Sequence, residues 1–438
     1  MYVAQVGWIM AAFTMFKTQV GIGVLSIPSA FNQMGLLGGV VCLLLVHKIA
    51  LWLGYQIGQA GLRHPDVRAF DDVGQKLFGR WGRLLFGTVY WLYFIFVGAS
   101  AVLGISIALG VLTNNSRCAL DYFVTASCIA WILASIKTVA RLAPLSIVGA
   151  ASIGTSLAVL TIALIVRGRP ETAPSAGPWV SDYKLVKYPT FTETLSAVSC
   201  IVFAYSGVPA FFTIHAQMRE PKHYNRAMFA SLSGVFTVYA TVGIIVYIYC
   251  GSHVSSPALG SAGGDIEKVC YGIAIVGLCV TACLLCHYPT KQTYSLATAL
   301  IQKLGPGNDP QQAAERTFSH RTTTLTWYSS SGLVALTAFL IASGIPNFSE
   351  LVSLVGALLG AAICFPPLAC LWFKDHWSSE QRTRKFWLKV MWHAFLIAAG
   401  VFMMCAGTYA AVGDILHAGQ GRAPFSCAPL SQRAGSSE

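Results

Sequence analysis

Charge is what this sequence has least of. Asp, Glu, Lys and Arg make up 11% of its 438 residues, against about 25% in an average soluble protein. So few charges cannot coat a soluble globule of this size, which excludes a soluble enzyme, a disordered chain and a fibre. Carboxylates are scarcest, at 17. None falls in mid-span: Glu193, Asp265, Glu350 and Asp414 all lie near the ends of predicted membrane spans. Metal spacing is lacking too, since His215 and His223 stand eight apart with no Cys or Glu at ligand spacing. Tyr205-Ser206-Gly207 lacks the flanking glycine and partners of a hydrolase elbow. The Gly21-Ile22-Gly23 run opens no soluble βαβ unit, so no dinucleotide site is implied. No catalytic set, cofactor or metal is expected.

Apolar residues are what the chain does have: 55% of the total, with a mean hydropathy of +0.62. They fall in repeated blocks of about 20 residues, the length that spans a bilayer as a helix and not as a barrel strand. We expect an all-α polytopic membrane protein with eleven spans at roughly 7–30, 36–60, 82–112, 120–138, 142–167, 191–214, 228–251, 266–288, 324–343, 348–373 and 389–413. The first is too long and too interrupted for a cleaved signal peptide. One transporter domain is expected over 1–418. It comprises a first repeat (about 7–167), a second (about 191–373), an appended helix 11 (about 389–413) and a disordered tail over 419–438.

The net charge of +12 is read through the membrane, not through nucleic acid, because Lys and Arg gather in cytoplasmic loops. With the N-terminus inside, 19 of the 29 Lys and Arg fall on the cytoplasmic side and eight outside. That split predicts a cytoplasmic N-terminus and, with eleven spans, an exterior or lumenal C-terminus. Most of the 13 cysteines lie in apolar segments, where a thiol behaves as a small hydrophobe. Cys118 and Cys427 fall in exterior segments, but spacing alone does not pair them.

Two spans differ from the rest. Span 1 carries Gly21-Ile22-Gly23-Val24-Leu25-Ser26-Ile27-Pro28, and span 6 carries Tyr205-Ser206-Gly207-Val208-Pro209. Pro removes a backbone donor and clashes with the preceding turn, while Gly adds freedom. Non-helical backbone at mid-membrane depth persists only where it is buried in protein or lines a cavity. Matching interruptions five spans apart point to a transporter of inverted repeats with its site at the breaks.

These residues resemble the amino acid/auxin permease family in its filamentous-fungal branch. Phe16 to Pro28 is similar to the family's first-helix signature. Arg63-His64-Pro65-Asp66-Val67, Asp72-Val73-Gly74 and Phe78-Gly79 resemble its loop after helix 2. Phe203-Ala204-Tyr205-Ser206-Gly207 with Met218-Arg219-Glu220-Pro221 resembles its sixth-helix region. Pro346-Asn347-Phe348, Ser353 to Ala357 and Pro366-Pro367 resemble its tenth. The resemblance implies a LeuT-like fold of eleven helices with a five-plus-five inverted repeat. It also implies secondary transport of amino acids, often proton-coupled. One departure is Gln217, where the family usually has Glu after helix 6, which puts in doubt any role for that carboxylate.

An amino acid substrate brings a carboxylate and an ammonium. Unwound amides at Gly21, Ile22, Gly23, Val24 and Leu25 can meet the first. Free carbonyls over Phe203, Ala204, Tyr205, Ser206 and Gly207 can meet the second. The Tyr205 ring is a candidate cap. Lys17, about 15 Å into span 1, sits where ionisable groups are rare and usually functional. In sodium-coupled relatives an Asn stands there, so the lysine is the candidate for proton coupling without a sodium site. His47 and Lys48 are read as a core histidine and a lysine that reaches water. In span 8, Thr281, Cys283, His287 and Tyr288 have no fixed facing; Thr281 is the candidate to offer a hydroxyl near a cation. With no buried acid, neutral or anionic amino acids are favoured as substrates. The expected function is a proton-coupled amino acid transporter of the plasma or vacuolar membrane, working by alternating access. The rivals are a carrier of an amino-acid-derived metabolite and an amino acid sensor with the same fold.

Overall fold

The computed structural model describes residues 6–137, 142–170, 179–304, 320–377, 382–418 and 424–427. Its regular elements are helical. In chain order they are α1 (Trp8–Gln19), a 3-10 turn (Gly23–Ser26), α2 (Ile27–Arg63), α3 (Phe70–Leu112), α4 (Ala119–Ala134) and α5 (Leu142–Arg167). Then come α6 (Phe191–Tyr205), a 3-10 turn (Val208–Ala210), α7 (Phe211–Ala216), α8 (Tyr224–Cys250), α9 (Gly264–Leu304) and α10 (His320–Gly344). The chain finishes with α11 (Phe348–Leu354), a π turn (Val355–Gly360), α12 (Ala361–His376), α13 (Arg384–Phe402), a second π turn (Met403–Gly407) and α14 (Thr408–Ala418).

Among the described residues nine helices are long and apolar enough to cross a membrane. Eleven spans become nine for two reasons. The second half of span 1 runs into span 2 as one helix, bent at Gly35, whose φ of 78° only glycine adopts without strain. Span 4, α4, is apolar but short. Span 3 is preceded by more helix than expected. Residues read as loop form the first two turns of α3, before a bend at Phe78 and Gly79. Asp72 starts that helix by accepting from the amides of Arg68 (3.0 Å) and Ala69 (3.1 Å).

Lipid offers no hydrophobic drive for helices to associate, so small residues and close backbones hold a membrane bundle together. α3 follows this rule. Ala99, Ala101 and Ala108 are fully buried, and it packs along α9, with Gly98 against Cys286 and Gly104 against Leu278. The π turn at Val355–Gly360 lies against α6, with Gly356 facing the Ser199 carbonyl.

Both ends of the bundle are tied. Inside, by the predicted orientation, His64 at the end of α2 meets Asp375 at the end of α12 (2.9 Å), and Arg63 meets His376. Val6 exchanges backbone hydrogen bonds with Gln217 and Arg219, which joins the start of the described chain to the segment after α7. Outside, the segment before α6 crosses the Gly35 bend: Leu36 and Leu37 donate to the carbonyls of Lys184 and Leu185, and Lys187 donates to Asn32. Asp182 accepts from the amide (2.8 Å) and hydroxyl (2.5 Å) of Ser252. Partial burial raises this carboxyl, but the Ser252 donors outweigh it and hold it below its usual value.

A disulfide joins Cys118, in the α3–α4 loop, to Cys427, the pair the spacing could not assign. The expected disordered tail falls mostly outside the described residues. Pro424–Cys427 are described; this bond and a hydrogen bond from the Phe425 amide to the Ser343 carbonyl (3.2 Å) hold them.

Candidate functional site

The two interruptions meet. A Cβ on Gly23 would stand 2.7 Å from Ala204 Cα, and one on Gly207 would stand 2.6 Å from Thr18 O. Only glycine lets these backbones cross so closely. Ile22, Val24, Leu25, Phe203, Ala204, Tyr205 and Ser206 are all at most 5% exposed, and Gly21 and Gly23 are buried. Gly207 is half-buried, so the unwound segments are shut away from solvent everywhere but at that residue.

Interruption leaves backbone groups open, and proline decides which. Pro209 has no N–H to close onto the Tyr205 carbonyl, and the Val208 amide faces the Gln19 side chain, whose amide oxygen accepts from it in the orientation its neighbours require. Ala210 donates to Gly207. The carbonyls of Tyr205 and Ser206 thus accept no described hydrogen bond. In span 1 the Leu25 amide donates to Ile22 and not to Gly21, as the chain tightens into its 3-10 turn. The Gly21 and Ile22 amides find no described acceptor. Buried backbone groups are nearly always paired, so these open donors and acceptors mark the breaks as the candidate site. The start of the helical run at Gly23–Ser26 adds positive dipole beside the amides, and the end of α6 adds negative dipole beside the carbonyls.

Lys17 is 6% exposed, one turn before the break. Its ammonium donates to Thr281 Oγ1 (3.2 Å) and, at longer range, to Val20 O (3.4 Å). Thr281 in turn donates its own hydrogen bond to Gly277 O (2.7 Å). No described carboxylate lies within ion-pair distance of Lys17. Of the span-8 residues, then, Thr281 faces the break. Cys283 instead bonds Leu133 O, His287 packs on Trp327, and Tyr288 joins Tyr90 and Phe94.

Tyr205 turns its ring edge-on to Tyr239 (5.3 Å between centroids), and its hydroxyl lies 3.4 Å from His47 Nδ1. His47 is buried as expected, but against the site, while Lys48 is exposed. Three residues escaped the sequence reading. Tyr93 of α3 donates to Ser206 Oγ (2.8 Å), because the Ser206 proton is already given to Phe203 O (2.6 Å). Gln19 and Tyr239 bridge the two segments. Gln19 carried a signal, as a polar residue beside the break. Tyr239 carried none, being one aromatic among many in span 8's neighbour, span 7.

A bundle of apolar, membrane-length helices, two of them interrupted where their backbones touch, suits a membrane carrier. The sequence places it further. It matches the profile of the transmembrane amino acid transporter protein family over residues 4–412, so the chain belongs to that family and is a transporter, not an enzyme. It is 29% identical to the N amino acid transport system protein of Neurospora crassa, over 98% of this chain and 89% of that one. It is 26% identical to a transmembrane transporter of Fusarium pseudograminearum, over 93% and 83%. It is 22% identical to sodium-coupled neutral amino acid transporter 7 of Xenopus laevis, over 91% and 86%.

Proposed function

We propose that the protein is a proton-coupled amino acid carrier that works by alternating access between two inverted five-helix repeats, in a LeuT-like arrangement with one appended helix. The observation that carries the reading is the crossing of the two unwound segments at Gly23 and Ala204, with Lys17 beside them. The substrate carboxylate binds the amides of Gly21 and Ile22 and the turn at Gly23, Val24 and Leu25. Its ammonium binds carbonyls of the Phe203–Gly207 stretch, Tyr205 and Ser206 first. Tyr205 closes over it. The described side chains lining the breaks include no carboxylate to pair a cationic side chain, which favours neutral or anionic amino acids.

Coupling follows from Lys17. The Val20 carbonyl and the Thr281 hydroxyl are oxygen ligands of the kind a sodium ion takes, and the lysine ammonium lies between them. The Xenopus relative is named for sodium; here a protonated lysine stands where the cation would. Loading and releasing that proton on opposite sides of the membrane links it to substrate movement. The N-terminus faces the cytoplasm and the C-terminus the exterior or lumen, at the plasma or vacuolar membrane.

The test is uptake of labelled alanine, glutamate and lysine by proteoliposomes under an imposed pH gradient without sodium. Gradient-driven accumulation of alanine or glutamate is expected. Accumulation that requires sodium, or that the gradient does not drive, overturns proton coupling.

A further inference from the structure

Four hydrogen-bond contacts lock the two unwound segments to each other and to α8. Tyr239 is fully buried. Its hydroxyl stands 2.7 Å from Gln19 O, at the end of α1, and 2.9 Å from Ala204 O, in the last turn of α6. A phenol has one proton, so it serves one of these carbonyls at a time. Gln19, 3% exposed, makes up the difference: in the amide orientation that its neighbours require, its nitrogen donates to Ala204 O (3.1 Å) and its oxygen accepts from the Val208 amide (3.1 Å). Ala204 therefore stays supplied while Tyr239 donates to Gln19 O. The Val208 amide, freed because the helix is interrupted there, is satisfied by the same side chain. The chain of bonds runs from α8 through the end of α1 to both sides of the break after α6.

We propose that Tyr239 and Gln19 are positioning residues that clamp the two unwound segments into one substrate-binding unit, carried on α8. The proposal rests on the reading of the breaks as the amino acid site. Neither side chain is needed to touch the substrate. They fix the distance between the amides that take its carboxylate and the carbonyls that take its ammonium. Without the clamp the segments sample other spacings, and apparent affinity falls by the fraction of time the competent spacing is present. The rate of the transport cycle once substrate is bound changes less. The signature is a rise in KM at nearly constant maximal velocity.

Tyr239→Phe removes the hydroxyl and keeps the ring against Tyr205. Tyr224→Phe is the matched control: Tyr224 is on the same helix, 1% exposed, and its hydroxyl donates to Gly54 O (2.9 Å) away from the breaks. The full chain is reconstituted, and uptake is followed for whichever of labelled alanine, glutamate and lysine the unaltered protein accumulates. Tyr239→Phe is expected to raise KM about tenfold, which is about 1.4 kcal/mol, with maximal velocity within about twofold and Tyr224→Phe unchanged. Gln19→Leu is expected to act in the same direction, and the double variant to fall short of the product of the two singles, since both open one clamp. An unchanged KM in Tyr239→Phe, or an equal rise in Tyr224→Phe, overturns the clamp while leaving amino acid transport standing. No accumulation of any of the three by the unaltered protein instead overturns the reading of the site, and the clamp with it.

Discussion

A charge with no counter-charge among the described residues is the feature of Lys17 that decides its meaning. Burying an unpaired ammonium costs several kcal/mol even after relaxation, and here its described partners are one hydroxyl and one distant carbonyl. The negative end of α1 offsets part of that cost. A residue held only for packing would be better replaced by an apolar one. Lys17→Ala is therefore expected to leave thermal stability unchanged or raise it, while gradient-driven accumulation falls at least tenfold and its pH dependence disappears. Melting in detergent and uptake at several external pH values measure the two effects. Intact pH-dependent uptake in the variant would sink the coupling role. A loss of stability equal to the loss of uptake would make the lysine structural.

At the scale of elements, the proposed site depends on two backbones that touch. Gly23→Ala puts a methyl group 2.7 Å from Ala204 Cα, and relieving such an overlap costs about 1–3 kcal/mol. Both contacting atoms belong to backbone or to the first side-chain carbon, so neither can rotate away. Uptake is expected to fall at least tenfold. Gly154→Ala, in the middle of α5 with nothing within 4 Å, should leave uptake unchanged, since a helical Gly→Ala change is if anything stabilising by about 0.5–1 kcal/mol. Equal effects at the two glycines would mean that the crossing is not critical. Both interruptions were legible in the sequence because Gly and Pro write directly into backbone geometry. So was Lys17, because charge inside an apolar run stands out. What the run of residues could not give was pairing across the bundle: Tyr239 on Gln19, Thr281 on Lys17, Tyr93 on Ser206. Those depend on the rotation of each helix about its axis. The weak contrast between apolar faces in a lipid-exposed bundle leaves that rotation unmarked in sequence. The two π turns were hidden for a similar reason, since an extra residue in a helical turn changes no residue type.

For the whole molecule, the link between Cys118 and Cys427 constrains the path through the membrane. Two residues can bond only on one face, so the chain between them must cross an even number of times. From α4 onward the eleven-span reading gives eight crossings, with α6 and α7 as one span, α11 and α12 as one and α13 and α14 as one. The disulfide also favours the exterior or lumenal face proposed for it, because such bonds persist in oxidising compartments and not in the cytosol. Charge bias in the loops and the disulfide are thus two independent supports for the proposed orientation, one from Lys and Arg, the other from redox chemistry. A membrane-impermeant maleimide applied to sealed, intact cells or outward-facing vacuole-lumen preparations should label nothing at these positions until an impermeant reductant opens the bond. Cys118→Ser should then expose Cys427 to the reagent without reduction, and adding Cys427→Ser should remove that signal. The remaining cysteines of the described chain are buried or lie along the helices, so the difference between the two variants isolates the tail. Labelling of Cys427 only after the membrane is permeabilised would place the tail inside and overturn the predicted orientation.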